Sequence, residues 1–196
     1  MPRSGSLFPS APAESPQPAS AITAHIDGGA RGNPGPAGYG VHIQDATGKT
    51  LAEISEFLGV RTNNVAEYSA LLAALDFAVK QGHRALRVVS DSELLVKQMN
   101  GDYKVKSPDL KELYDRARTL VRKLDSFQVR HVLRHQNKDA DRLANAAMDR
   151  GMGRSPVPAS SQSTNKELNG IVRGGVVEFL SGELPEGTLV KVKVKD

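Results

Sequence analysis

Alternation opens the patterned part of the chain. In AITAHI, at 21–26, every second residue is apolar, which predicts a short strand ending at Asp27. After a glycine-rich run, YGVHIQD alternates well enough for a second strand. DATGKT is a polar turn, and LAEISEFL predicts a third strand. Strands joined by short turns suggest an antiparallel meander. The period then changes. Val65, Tyr68, Leu72, Leu75 and Val79 form the stripe of an amphipathic helix. ALRVVS predicts a buried strand, SELLVKQM a short helix ended by Gly101, and LKELYDRARTLVRKL a longer helix introduced by Ser107 and Pro108. FQVRHVL alternates as a strand, and residues 137–150 predict a last helix. The order βββαβααβα describes an α/β domain, a mixed sheet with helices on its faces.

The ends of the chain lack this patterning. Residues 1–20, MPRSGSLFPSAPAESPQPAS, are too poor in apolar area to offset the entropy of ordering and predict a disordered tail. The predicted folded domain spans 21–151, a low-complexity linker 152–166, and a small β module 167–196. The 196 residues carry a net charge of +4, which suits a polyanionic partner without requiring one. There is no cysteine, so disulfides, thiolate metal sites and cysteine nucleophiles are excluded. No apolar run reaches the roughly 20 residues of a membrane span, and no signal-peptide core is seen at the N-terminus, so the expected location is cytoplasmic.

Four acids sit at ends of predicted elements. Asp27 closes the first strand, Glu67 lies one turn into the long helix, Asp91 follows ALRVVS, and Asp141 is in the first turn of the last helix. Each also has an ordinary structural role open to it. With Asn64 as N-cap, Glu67 would complete a capping box. Asp91 could cap the SELLVKQM helix, and Asp141 could favour the positive end of its own helix. Asp27 fits no such role, because the glycines after it cap no helix and suggest no simple hairpin. Should the four converge, their mutual repulsion calls for cations. Hard oxygen donors select Mg²⁺, which completes its shell with water and phosphate oxygens. Such a site performs metal-assisted phosphoryl displacement. The stretch DGGARGNPGPAGYG would then bare the main chain so that a polynucleotide can approach it, and backbone groups could read a 2′-hydroxyl. A tight glycine-rich turn that serves the fold is the competing reading. A P-loop is excluded, because the GK[ST] ending is missing.

DGGARGNPGPAGYG, TNNVAEYSALLAAL, VVSDSELLVKQMNG and VLRHQNKDADRLANAA resemble, in order and spacing, the four signature segments of type 1 ribonuclease H. The resemblance covers about 21–150. It implies a ribonuclease H-like fold, with a five-stranded mixed sheet flanked by helices. It also implies endonucleolytic hydrolysis of the RNA strand of RNA–DNA hybrids, leaving 5′-phosphate and 3′-hydroxyl ends. The cofactor it implies is Mg²⁺ or Mn²⁺, two ions per active site, held by Asp27, Glu67, Asp91 and Asp141 as the catalytic acids. Gly28, Gly29, Ala30, Arg31, Gly32 and Asn33, with Thr62, Asn63 and Asn64, look like the hybrid-contacting positions. A catalytic histidine found in many members has its counterpart in His135, with Arg134 and His131 as competitors. The basic protrusion of some members is missing, which resembles the compact subtype. Lys97, Lys104, Lys106 and Lys111 then form either a weaker phosphate track or an ordinary solvated surface. A non-catalytic hybrid-binding module and another nuclease or strand-transfer enzyme on the same fold remain open.

The C-terminal segment is a separate matter. Val190, Val192 and Val194 alternate with Lys191, Lys193 and Lys195, a half-buried strand with a lysine face. GGVVEFL is its expected hairpin partner. The segment is similar to the core of small β-rich antitoxin-like proteins over about 25 residues. Two strands alone are marginal in water, so the hairpin is expected to dock on the domain, to self-associate or to join a partner's sheet. The domain as a whole is expected to contact no membrane.

Overall fold

A computed structural model describes residues 21–154, 170–173 and 176–179. They belong to two units, one within 1–156 and one within 157–196, each described here by itself. The tail at 1–20, most of the 152–166 linker, and the strand expected at 188–195 with its pairing lie outside the described residues.

The first unit follows the expected element order. Strands β1 (Ala21–Ala30), β2 (Gly35–Gln44) and β3 (Thr50–Arg61) are followed by α1 (Asn63–Lys80), β4 (Ala85–Ser90), α2 (Glu93–Asn100), α3 (Pro108–Val121) and β5 (Ser126–His131). A single 3-10 turn, Arg134–Gln136, leads into α4 (Lys138–Gly151). The sheet order is β3-β2-β1-β4-β5. β1, β2 and β3 form the antiparallel meander, while β4 joins β1, and β5 joins β4, in parallel.

Glycine and alanine set how closely the helices approach. A Cβ on Gly28 would lie 2.3 Å from the backbone of Ala66 and Glu67, so α1 rests directly on β1. Ala66, Ala70, Ala74 and Ala78, four residues apart, are fully buried along α1. Asp27 pairs with Gly40 across the antiparallel ladder, so both face away from Gly28 and α1. A Cβ on Gly40 would meet the Ala140 carbonyl at 2.4 Å and Leu143 at 2.5 Å, which seats α4 on the opposite face of the sheet. α1 is therefore buried more widely than its five-residue stripe suggests: the sheet covers one side and α3 another.

Two expectations need correction. Asp27 does not end its strand. β1 continues through Gly28 and Gly29 to Ala30, paired with Tyr39, Gly38 and Ala37. The glycine run is, in fact, a hairpin: its turn is only residues 31–34, closed by the Arg31 N–H donating to the Pro36 carbonyl at 2.9 Å. Bare glycine looked like loop because the demand for it comes from helices packed above and below the strands, and those contacts are far away in sequence. The second unit is an antiparallel pair, β6 (Gly170–Arg173) with β7 (Val176–Phe179), so part of GGVVEFL pairs with the segment just before it.

Candidate active site

The four acids arrive from four different elements at one end of the sheet. Asp27 comes from the middle of β1. Asp91 follows Ser90, the last residue of β4, which pairs in register with Ile26. Glu67 projects from the second turn of α1 and Asp141 from the first turn of α4. Asp27, Glu67 and Asp91 line one cleft with the Gly28, Gly29 and Ala30 main chain, Arg31, Asn63, Arg134, Asn145 and Met148. Asp141 adjoins it through Arg134 and Asn145.

Two of the local structural roles weighed for these acids belong to other residues, while Asp141 does stand in the first turn of its own helix. Thr62, not Asn64, is the N-cap of α1, and its Oγ1 accepts from the Val65 N–H at 3.4 Å. Glu67 is thus the fifth helical residue and lies outside any capping box. Ser92, not Asp91, caps α2 by accepting from the Leu95 N–H at 3.3 Å. Glu67 and Asp91 are thereby released from capping.

Each acid has a donor of its own. Ser92 Oγ donates to Glu67 in a short contact. Asn137 Nδ2 donates to Asp91 Oδ1 at 3.2 Å. Asn145 Nδ2 donates to Asp141 Oδ2 at 3.2 Å, and Arg134 pairs with the other oxygen of Asp141. The Gly28 N–H supports Asp27. These donors do not overcome burial and crowding. Burial, then the charges of Asp91 and Asp141, push Asp27 up to about 6, against the pull of Arg134 and the Gly28 N–H. Burial pushes Glu67 up to about 7, with Asp27 and Asp91 adding to it and Ser92 opposing.

Among the described residues, no group of three or more His, Cys, Asp and Glu side chains is already arranged as a metal cage. The donors nevertheless fit a hard divalent cation. They are all carboxylate oxygens gathered in one cleft, where burial and then mutual repulsion raise Asp27 and Glu67.

The ledge beside the acids is a built structure. Asn63 Oδ1 accepts from the Ala30 N–H at 2.7 Å, and Asn33 Oδ1 accepts from the Asn63 N–H at 3.2 Å. This clasp ties the β1–β2 turn to the start of α1, and joins three expected hybrid-contacting positions to one another. Arg31 pairs with Asp149 at 2.8 Å. Gly32 has φ 102, a left-handed conformation that suits glycine, and Asn64 is half-buried. His135 is exposed and makes no hydrogen bond or ion pair among the described residues; its neighbour Arg134 is the side chain that reaches an acid. His131 Nε2 donates to the main-chain carbonyl of Asp91 at 3.2 Å. Lys97 and Lys111 are paired with Glu93 and Asp115, which favours the solvated-surface reading for those two.

Sequence reasoning passed over Ser92, Asn137 and Asn145. Asn145 carried a signal, since it stands four residues after Asp141 on one helix face. Ser92 and Asn137 carried none, because a polar residue before a helix reads as a cap.

Residues 25–147 match the family described as "Reverse transcriptase-like". The "Bifunctional protein Rv2228c" of Mycobacterium tuberculosis is 50% identical over 129 residues, which is 65% of this chain and 35% of that protein. The alignment thus spans about a third of that relative's length. "Ribonuclease HI" of Halobacterium salinarum is 41% identical over 128 residues, 65% of this chain and 64% of that one. The crystal structure of LC11-RNase H1 in complex with an RNA/DNA hybrid is 44% identical, covers 67% of this chain and 99% of that chain, and superposes with a TM-score of 0.64. With this fold, four signature segments in order and these relatives, the chain belongs to the type 1 ribonuclease H family.

Proposed function

We propose that the chain is an endoribonuclease that hydrolyses the RNA strand of RNA–DNA hybrids, leaving 5′-phosphate and 3′-hydroxyl ends. The observation that carries this reading is the meeting of Asp27, Glu67, Asp91 and Asp141 beside the Gly28–Ala30 ledge. Kinship to a ribonuclease H1 crystallised with a hybrid supports the substrate class.

In this reading Asp27, Glu67, Asp91 and Asp141 hold two divalent ions, Mg²⁺ or Mn²⁺, which when bound activate water and stabilise the leaving 3′-oxygen. The chain's own residues position the substrate. The clasp between Asn33, Asn63 and Ala30 uses only the amide oxygens of the two asparagines, so that among the described residues their nitrogens can donate to sugar hydroxyls, and it holds them in place before substrate arrives. Gly29 and Gly32 keep side chains away from the approaching strand, and Thr62 and Asn64 stand beside that edge at the start of α1. Arg31, fixed by Asp149, presents charge to a phosphate. Ser92, Asn137 and Asn145 fix the orientation of three of the acids. His135, exposed beside Arg134, takes the place of the family's catalytic histidine. No described helix is long and apolar enough to cross a membrane.

The test uses the full chain with an end-labelled hybrid, duplex DNA and duplex RNA, each with Mg²⁺ or Mn²⁺. Cleavage confined to the RNA strand of the hybrid is the expected result. A hybrid left intact with both metals, or duplex RNA cut equally well, would overturn the reading.

A further inference from the structure

Asn137 stands at the N-cap position of α4 yet caps nothing: its side chain makes no hydrogen bond to the first turn of the helix. An asparagine there ordinarily accepts from a backbone N–H of that turn. Here the side chain turns inward and is 1% exposed. Its one amide nitrogen donates twice, to the Ile26 carbonyl at 2.8 Å and to Asp91 Oδ1 at 3.2 Å. Its Oδ1 is buried and makes no hydrogen bond of good geometry, although the His25 ring interacts with it. The residue thus lacks the cap and carries a poorly satisfied acceptor, both of which disfavour stability. What it gains is a tie among three acid-bearing elements. The Ile26 carbonyl is the peptide linked to Asp27, Asp91 follows β4, and the Asn137 carbonyl accepts the Asp141 N–H at 3.1 Å in the first bond of α4.

We propose that Asn137 is a positioning residue for the divalent-cation site, its buried amide holding the Asp91 carboxylate in register with Asp27 and with the start of α4. The amide suits this task chemically. It donates without bringing a positive charge to where a cation sits, and it occupies only one oxygen. Asp91 Oδ2 has no hydrogen bond among the described residues and stays available as a ligand. Outer partners of this kind orient a ligand and commonly change metal affinity by about 10- to 100-fold when removed.

The inference rests on the carboxylates binding a divalent cation, so its test reads binding directly. Mn²⁺ alone is titrated into the full chain and followed by electron paramagnetic resonance. Asn137→Ala is expected to weaken Mn²⁺ binding by about 10-fold or more, to lower kcat at fixed metal, and to leave KM for a hybrid nearly unchanged. Leu110→Ala, in the core contributed by α3, lowers Tm without moving Mn²⁺ affinity and controls for lost stability. A folded Asn137→Ala that binds Mn²⁺ as the wild type does would overturn the proposal. Where that variant does not fold, the wild-type Asn137 side-chain amide is followed by nitrogen NMR during Mg²⁺ addition. A resonance that shifts with site occupancy supports the proposal, and one that stays put overturns it. A wild-type chain that binds no Mn²⁺ would instead remove the cation site itself, a separate failure.

Discussion

Two helices bring acids to the cleft from opposite faces of the sheet, and they begin in different ways. α1 starts under a side-chain cap, with Thr62 accepting from Val65, and delivers Glu67 one turn later. α4 starts at Asn137, which caps nothing and turns its amide to Ile26 and Asp91. At α1 the cap residue serves the helix, and the acid downstream is oriented by a different element, Ser92. At α4 the residue in the cap position serves the site, and the helix start goes without its cap. The difference shows how one kind of residue in one kind of place divides between stability and geometry according to what lies across from it.

The harshest way to break the comparison is to remove the acid on which both helices converge. Asp27→Asn should lower the cleavage rate by roughly 1,000-fold or more, on the scale expected for losing one preorganised electrostatic group, while gel-shift affinity for a hybrid persists. A variant that keeps most of its activity would remove Asp27 from the catalytic group.

The seating of the two helices comes next. Gly28→Ala drives a Cβ into the α1 backbone at 2.3 Å, and Gly40→Ala drives one into the Ala140 carbonyl at 2.4 Å. Each should destabilise by about 1–3 kcal/mol or more in denaturant unfolding. If only one of them does, the two faces are not seated alike.

Acidity sharpens the contrast further. Asp27 and Glu67 are raised to about 6 and about 7, above the values they have in an unfolded chain. The folded, metal-free state therefore binds more protons, and stability falls as pH rises through the window from about 4 to about 7. Tm of the chelator-treated protein should be higher at about pH 5 than at about pH 7.5, and Mg²⁺ should restore much of the loss at the higher pH. A Tm that climbs across that window and ignores Mg²⁺ would contradict the account.

Smaller effects follow. Thr62→Ala should cost about 0.5–1 kcal/mol, measured by urea unfolding, since its capping bond is long. Gly29→Ala should change stability by less than about 0.5 kcal/mol, because its Cβ meets only the Met148 side chain at an ordinary 3.7 Å. Lost cleavage in that stable variant would locate the substrate strand against the ledge, and unchanged cleavage would leave the glycine to the fold.

Much of this molecule was legible in the chain. Local periodicity carries the number, type and order of the strands and α-helices of the first unit, because alternation and the helical stripe record which side of each segment is buried. The identity of the four acids was legible too, since they recur within signature segments of fixed spacing. The boundaries at Asp27 and Asn64 were not. A strand built from Gly28, Gly29 and Ala30 has no pattern of its own; it is a strand because β2 pairs with it and because α1 leaves no room for a Cβ. The partners of the acids were equally hidden. Asn137 lies 46 residues from Asp91, and nothing in either segment tells whether an amide will turn to its own helix or to another strand. Local sequence determined which segments are helix or strand and which carboxylates are present. Only tertiary packing decided which neutral donors hold those carboxylates, because a side chain at a helix start chooses among acceptors that the fold, not the neighbouring residues, brings within reach.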